Sequence, residues 1–210
     1  MEHQAPKTPK FKRRAEARPD EVLDAALKLF SAHGFAHTTV EAVGRAAGLS
    51  KAAVYLYFPS KKALLAGLVR RAVAPIADMA IGQIADFRGD PRPVIAMVMR
   101  LMATRLADPA VFAVPSLILR EASVAPEMVQ VYREEVLDRI LPAARALIAQ
   151  GVAGGFIRAV DPDLTLRSIM GPLLAHLLLA QVFGVQPEGG MQLNRLIDNH
   201  LSILIAGLEP

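Results

Sequence analysis

A chain of 210 residues, 53% of them hydrophobic, has enough apolar surface for one medium domain or for a small domain beside a larger one. Cysteine is absent, which excludes disulfides, thiolate metal sites and cysteine nucleophiles and fits a cytoplasmic protein. The net charge of +4 is unevenly spread: residues 1–74 carry 13 Lys/Arg against 6 Asp/Glu, residues 75–210 carry 11 against 14, and no lysine follows Lys62. A basic first third on a slightly acidic remainder suits an anionic partner, or simply a solvated basic surface.

In chain order, residues 1–19 hold Pro6, Pro9 and Pro19 among six Lys/Arg without periodicity, and are expected to form a disordered basic arm. The polar, basic start lacks the apolar run of a secretory signal. From Asp20 the pattern becomes helical: Val22, Ala25, Ala26, Leu29 and Phe30 recur at three- and four-residue spacing, Asp20 suits an N-cap and Gly34 the residue past the end. Thr38 and Glu41 have capping-box spacing for a second helix. Gly48 then supplies a positive φ for a sharp turn, and Ser50 caps a third helix over about 51–57. Ser60 caps the next, which opens on Lys61 and Lys62.

After residue 60, breaks are expected near Gly89-Asp90-Pro91, Asp108-Pro109, Ala125-Pro126, Gly154-Gly155, Asp161-Pro162 and Pro187–Gly190. Pro75 and Pro142 should kink or end the helices that contain them. No strand run is visible. Ser168–Pro187 has no charged residue, but with Gly171, Pro172, His176 and Gln181 it reads as a buried helix, apolar all round, and not as a membrane span. Leu193, Leu196, Ile197, Leu201, Leu204 and Leu208 form an apolar stripe on the last helix.

The segment 38–57 carries the chemistry. Two short helices joined by a glycine turn, with small Gly44 where they cross and Leu49 and Val54 where the second packs on the first, make a helix-turn-helix. Lys51 and Tyr55 on the second helix suit phosphate contacts, as does Lys61 at the next helix start. The plain alternative is a helical hairpin with conventional caps.

Residues 38–65 resemble the DNA-binding signature of the TetR (tetracycline-repressor) family. Thr39-Val40, Ala46–Lys51, Tyr55, Tyr57–Lys61 and Ala63–Leu65 carry the likeness, with Ala25-Ala26, Leu29-Phe30 and Gly34-Phe35 before them. The resemblance implies an all-α fold, with an N-terminal three-helix helix-turn-helix domain followed by a larger helical ligand-binding and dimerisation domain. The expected boundaries are 1–19 for the arm, 20–66 for the DNA-binding domain and 67–210 for the rest. It further implies a homodimer on double-stranded operator DNA, usually a repressor released by a small molecule. Carried over position by position, Thr39, Lys51, Tyr55, Tyr57 and Lys61 match backbone-contacting positions, although Tyr57 equally suits packing. Arg45, Ser50 and Ala53 complete the expected DNA-binding set. Ala52, Ala53 and Leu56 depart from the glycine, threonine and histidine frequent there; they leave only apolar contact, for example with thymine methyl groups, and shift direct readout towards Arg45 and Lys51.

In the body, Phe87, Met97, Met102, Phe112 and Met128 are candidate pocket residues for an apolar effector, with ordinary core packing as the alternative for each. The resemblance places dimerisation on the last two helices: Leu174, Leu178, Leu193, Leu196, Ile197, Leu201 and Leu204. Arg120-Glu121 suits a helix end or ion pair, and His176 a satisfied buried histidine. No metal or cofactor site is expected, and neither a phosphate-binding glycine loop nor a nucleophile elbow points to an enzyme. A helical small-molecule carrier, in which the hairpin is incidental, is the competing reading from another class.

Overall fold

The computed structural model describes residues 10–85 and 87–210, with residues 10–17 as backbone only; no strand occurs among the described residues. The chain divides at Gly67/Leu68 into two compact units. In the first, α1 (Lys10–His33) is followed by α2 (Val40–Ala46), α3 (Lys51–Tyr57) and the start of α4 (Lys61–Ala72). Helix α1 begins ten residues before the expected Asp20 and includes Pro19. Residues 10–18 are rich in Lys, Arg, Ala and Glu, strong helix formers that carry the helix past a proline whose ring removes one backbone donor. The expected arm is therefore helical from Lys10, and its residues 1–9 lie outside the described residues.

At the other end of α1, Gly34 takes φ +82° and donates its N–H to the Phe30 carbonyl at 3.0 Å. The side chains of Phe30 and Phe35 are both buried and meet edge to face, 5.0 Å between centroids. Gly67 on α4 is a close approach that the sequence does not announce: a Cβ there would lie 2.8 Å from Phe58 Cε1 and 2.9 Å from Leu23 Cδ2.

The second unit contains α5 (Ala74–Ala85), α6 (Arg92–Leu106), α7 (Pro109–Glu121), α8 (Pro126–Tyr132), a π-helical turn (Arg133–Leu137), α9 (Asp138–Ala153), α10 (Pro162–Gln181) and α11 (Leu193–Gly207). The expected breaks separate these elements. Asp108 and Asp161 cap α7 and α10, accepting from Ala110 N and Leu164 N at 2.9 Å, each with proline in the first turn. Helices α6 and α7 meet at 95° across Ala107-Asp108. Pro142 does not end its helix; the wider π turn precedes it, so the ladder changes register one turn before the missing N–H. Arg70 holds this turn by donating to both Glu135 oxygens, at 2.9 and 2.5 Å, and that bond raises the Arg70 pKa above its ordinary value.

The core of this unit is built from Ile95, Met99 and Ala103 of α6, Leu147 and Ile148 of α9, Ile169, Leu173 and Leu177 of α10, and Leu193, Ile197 and Leu201 of α11. Two expectations are corrected here. The stripe of Leu193, Ile197 and Leu201 on α11, with Leu208 just past its end, is buried in the chain's own core, where α11 packs on α6, so it is not a face offered to a partner. Leu196 and Leu204 are half-buried at its flank. And α10, although long and apolar enough to cross a membrane, is not buried all round: Thr165, Ile169, Leu173, Leu177 and Ala180 face the core, while Leu174, Leu178 and Leu179 are exposed.

Candidate nucleic-acid interface

Helix α2 starts one residue later than the capping-box reading. Thr39 is the N-cap and accepts from Ala42 N at 3.1 Å. Thr38 is 4% exposed, and its hydroxyl donates inward to the Gly34 carbonyl at 2.8 Å. Gly48 has φ +68°, which allows the turn between α2 and α3. At Gly44 a Cβ would lie 3.0 Å from the Leu49 carbonyl oxygen and 3.2 Å from Val54 Cγ2. Val54 is fully buried against this gap, which fixes the rotation of α3 about its axis. Ser50 accepts from Ala53 N at 3.1 Å and Ser60 from Ala63 N at 2.9 Å, as their spacing predicts.

With Val54 inward, α3 turns Lys51, Ala52, Tyr55, Leu56 and Tyr57 to solvent, and Ala53 is half-buried. Lys51 Nζ lies 5.9 Å from the Tyr55 ring centroid, so ammonium and phenol share one edge of the helix. Arg45, on the last turn of α2, is exposed and reaches Glu41 at 3.6 Å. An exposed i,i+4 pair of this kind holds the guanidinium weakly, leaving it available to a stronger anion. Their i,i+4 spacing is a local signal for this pair.

Lys61 is placed differently from a free phosphate clamp. Its Nζ donates to the carbonyls of Phe35 at 2.8 Å and Ala36 at 3.1 Å, and lies 4.5 Å from the Phe35 ring centroid. Two of its three N–H donors are thus spent on the turn after α1. The partners lie 26 and 25 residues away in sequence, and no local pattern signals them.

The chain's similarities bear on what this arrangement does. Residues 22–68 match the family model for bacterial regulatory proteins of the tetR family, and residues 85–186 match that of the tetracyclin repressor-like C-terminal domain. The chain belongs to the TetR family. It is a transcriptional regulator with a DNA-binding helix-turn-helix. It is 28% identical to the HTH-type transcriptional regulator RutR of Escherichia coli K12 over 97% of this chain and 96% of that one. Among solved structures, it is similar to the SmeT–triclosan complex (TM-score 0.78, 26% identity, 92% of each chain). SmeT is the repressor of the Stenotrophomonas maltophilia multidrug efflux pump SmeDEF. The Bacillus subtilis regulator FadR in complex with stearoyl-CoA shares the fold (TM-score 0.70, 22% identity, 90% of this chain and 99% of that one).

Within the body of this TetR-family regulator, the candidate pocket residues do not converge. Phe87, Met102 and Phe112 are half-buried against the main core, Met128 is fully buried among packed side chains, and Met97 is 40% exposed. Phe112 lines a half-open cleft of about 250 Å³, with Leu106, Ala107, Pro109, Met191, Gln192, Leu193 and Asn194. His176 is half-buried and satisfied, its Nε2 donating to the Met191 carbonyl at 2.6 Å. Arg120-Glu121 closes α7. No cluster of three or more metal-ligating side chains occurs among the described residues.

Proposed function

We propose that this regulator binds duplex operator DNA as a homodimer, sets one α3 in the major groove of each half-site, and represses transcription until a small, mostly apolar molecule binds the body. It acts where the chromosome is, in the cytoplasm. The observation that carries the DNA reading is the fixed rotation of α3: Val54 docked at Gly44 commits Lys51 and Tyr55 to the open side. In this reading Lys51, Tyr55, Tyr57, Thr39 and Ser50 meet the backbone, Arg45 and Ala53 approach base edges, and Lys61 acts mainly through the turn it holds.

Dimerisation is supported by exposed Leu174, Leu178, Leu179 and Val182 on and beyond α10 and by Ile203 on α11, an apolar surface that a second copy would cover. An apolar effector is supported by the triclosan bound to SmeT, and the half-open, largely apolar cleft beside Phe112 is a place on the body where such a molecule would start to enter. Helix α4, which carries residues of both units, is the proposed route from effector to DNA. Selection from random-sequence DNA, followed by affinity measurements across a salt series, tests the reading. The expected result is a two-fold symmetric site whose affinity falls steeply with salt; binding indifferent to salt would overturn it.

A further inference from the structure

We propose that Leu56 is a specificity-determining residue that reads a thymine in each half-site through its C5-methyl group. The inference rests on the DNA-binding reading above and adds the base chemistry that α3 selects. Leu56 is 85% exposed, more than any other large hydrophobic side chain among the described residues. It lies four residues after Ala52 and three after Ala53, so the three share one face of the helix. Val54, buried at Gly44, fixes that face outward.

Folding gives no reason for a leucine here, because 15% of its surface is all that the chain covers. None of the three side chains can donate or accept a hydrogen bond. In the major groove the purines and cytosine present donors and acceptors at their edges, and an apolar side chain pressed against those groups strips their water without replacing it. Thymine alone presents a methyl group. Leu56 therefore gains apolar contact at thymine and carries a penalty at the other bases. Two alanines beside it leave the helix backbone free to approach closely.

The test uses the full chain and the duplex it selects from random DNA, remade with deoxyuridine replacing one thymine at a time, which removes the methyl group and nothing else. One thymine per half-site should cost the wild type about fourfold in affinity, or ~0.8 kcal/mol, when replaced. Replacing it in both half-sites should cost about fifteenfold. Leu56→Ala, at so exposed a position, should keep its helix content and melting temperature, and should bind thymine and deoxyuridine duplexes equally. Tolerance of every deoxyuridine by the wild type, or the same loss in Leu56→Ala, overturns the assignment of Leu56 while leaving DNA binding intact. Failure to select any DNA, or salt-independent binding, overturns the DNA-binding reading itself.

Discussion

Replacing Lys61 with alanine separates a phosphate contact from a structural latch. In the free protein the ammonium donates to two carbonyls at the end of α1 and covers the Phe35 ring. The Phe35 bond is partly buried and charge-assisted, which is worth about 1.5 kcal/mol. The Ala36 bond is exposed and contributes little, and the ring contact adds about 0.5 kcal/mol at such a site. The variant should therefore loosen this turn by about 2 kcal/mol. The Phe35 carbonyl also accepts from the Thr38 amide at 3.3 Å, so native-state hydrogen exchange at Thr38 reads the loss directly. Protection there should fall about thirtyfold. Operator affinity should also fall, because the turn leads into α2, and Lys61→Arg should restore both quantities. The plot of log affinity against log salt should keep its wild-type slope, whereas Lys51→Ala should flatten it by about one unit per site. A flattened slope in Lys61→Ala with unchanged protection at Thr38 would refute the latch and make Lys61 an ordinary phosphate contact.

Gly44→Ala should destabilise the first unit by about 1–3 kcal/mol and abolish operator binding, because its Cβ would crowd Val54 and the Leu49 carbonyl; thermal denaturation and mobility shift would check both. Leu178→Glu should yield folded monomers in sedimentation, whereas Leu201→Glu, which buries a charge in the chain's own core, should prevent folding. A Leu178→Glu protein that sediments as a dimer would place the interface elsewhere. Burial pushes the Tyr132 phenol above its ordinary value of 10.0. Its contribution to stability is intact below the unfolded tyrosine value and is lost as pH rises through the raised folded value. Tyr132→Phe should thus remove part of the alkaline loss of stability, as followed by urea midpoints above about pH 9; an unchanged profile would assign that loss to other groups.

What was legible in the sequence is what local chemistry decides. Gly34 and Gly48 take positive φ where a helix had to end, and Ser50, Ser60, Asp108 and Asp161 accept the orphan N–H groups of the helices that follow them. Where two neighbours are equally suited, spacing alone does not choose between them. Thr38 and Thr39 both suit a cap, and the decision falls to burial: the Thr38 hydroxyl is drawn to the Gly34 and Leu29 carbonyls, leaving Thr39 to start α2. Lys61 shows the opposite limit. Its charge and position fit a phosphate clamp, but its bonds depend on how two distant helices pack, which no window of sequence contains.

The last two helices show why composition can indicate a partner surface without naming its residues. An amphipathic stripe says that a helix face is covered, not by what. On α11 the stripe of Leu193, Ile197 and Leu201, with Leu208 just past the helix end, meets the chain's own core, and that demand is satisfied before any partner arrives. On α10 the uncharged run is longer than one face needs. Ile169, Leu173 and Leu177 fill the core at four-residue spacing, and Leu174 and Leu178, offset by one residue from Leu173 and Leu177, are left in water. A helix meant to face solvent would carry charges at those outward positions, as the first turns of α10 do at Asp163 and Arg167, before the uncharged run begins at Ser168. Beyond Arg167 charges are absent from both faces, and that calls for a further cover; which leucines it must reach is decided only once the inward face has been assigned.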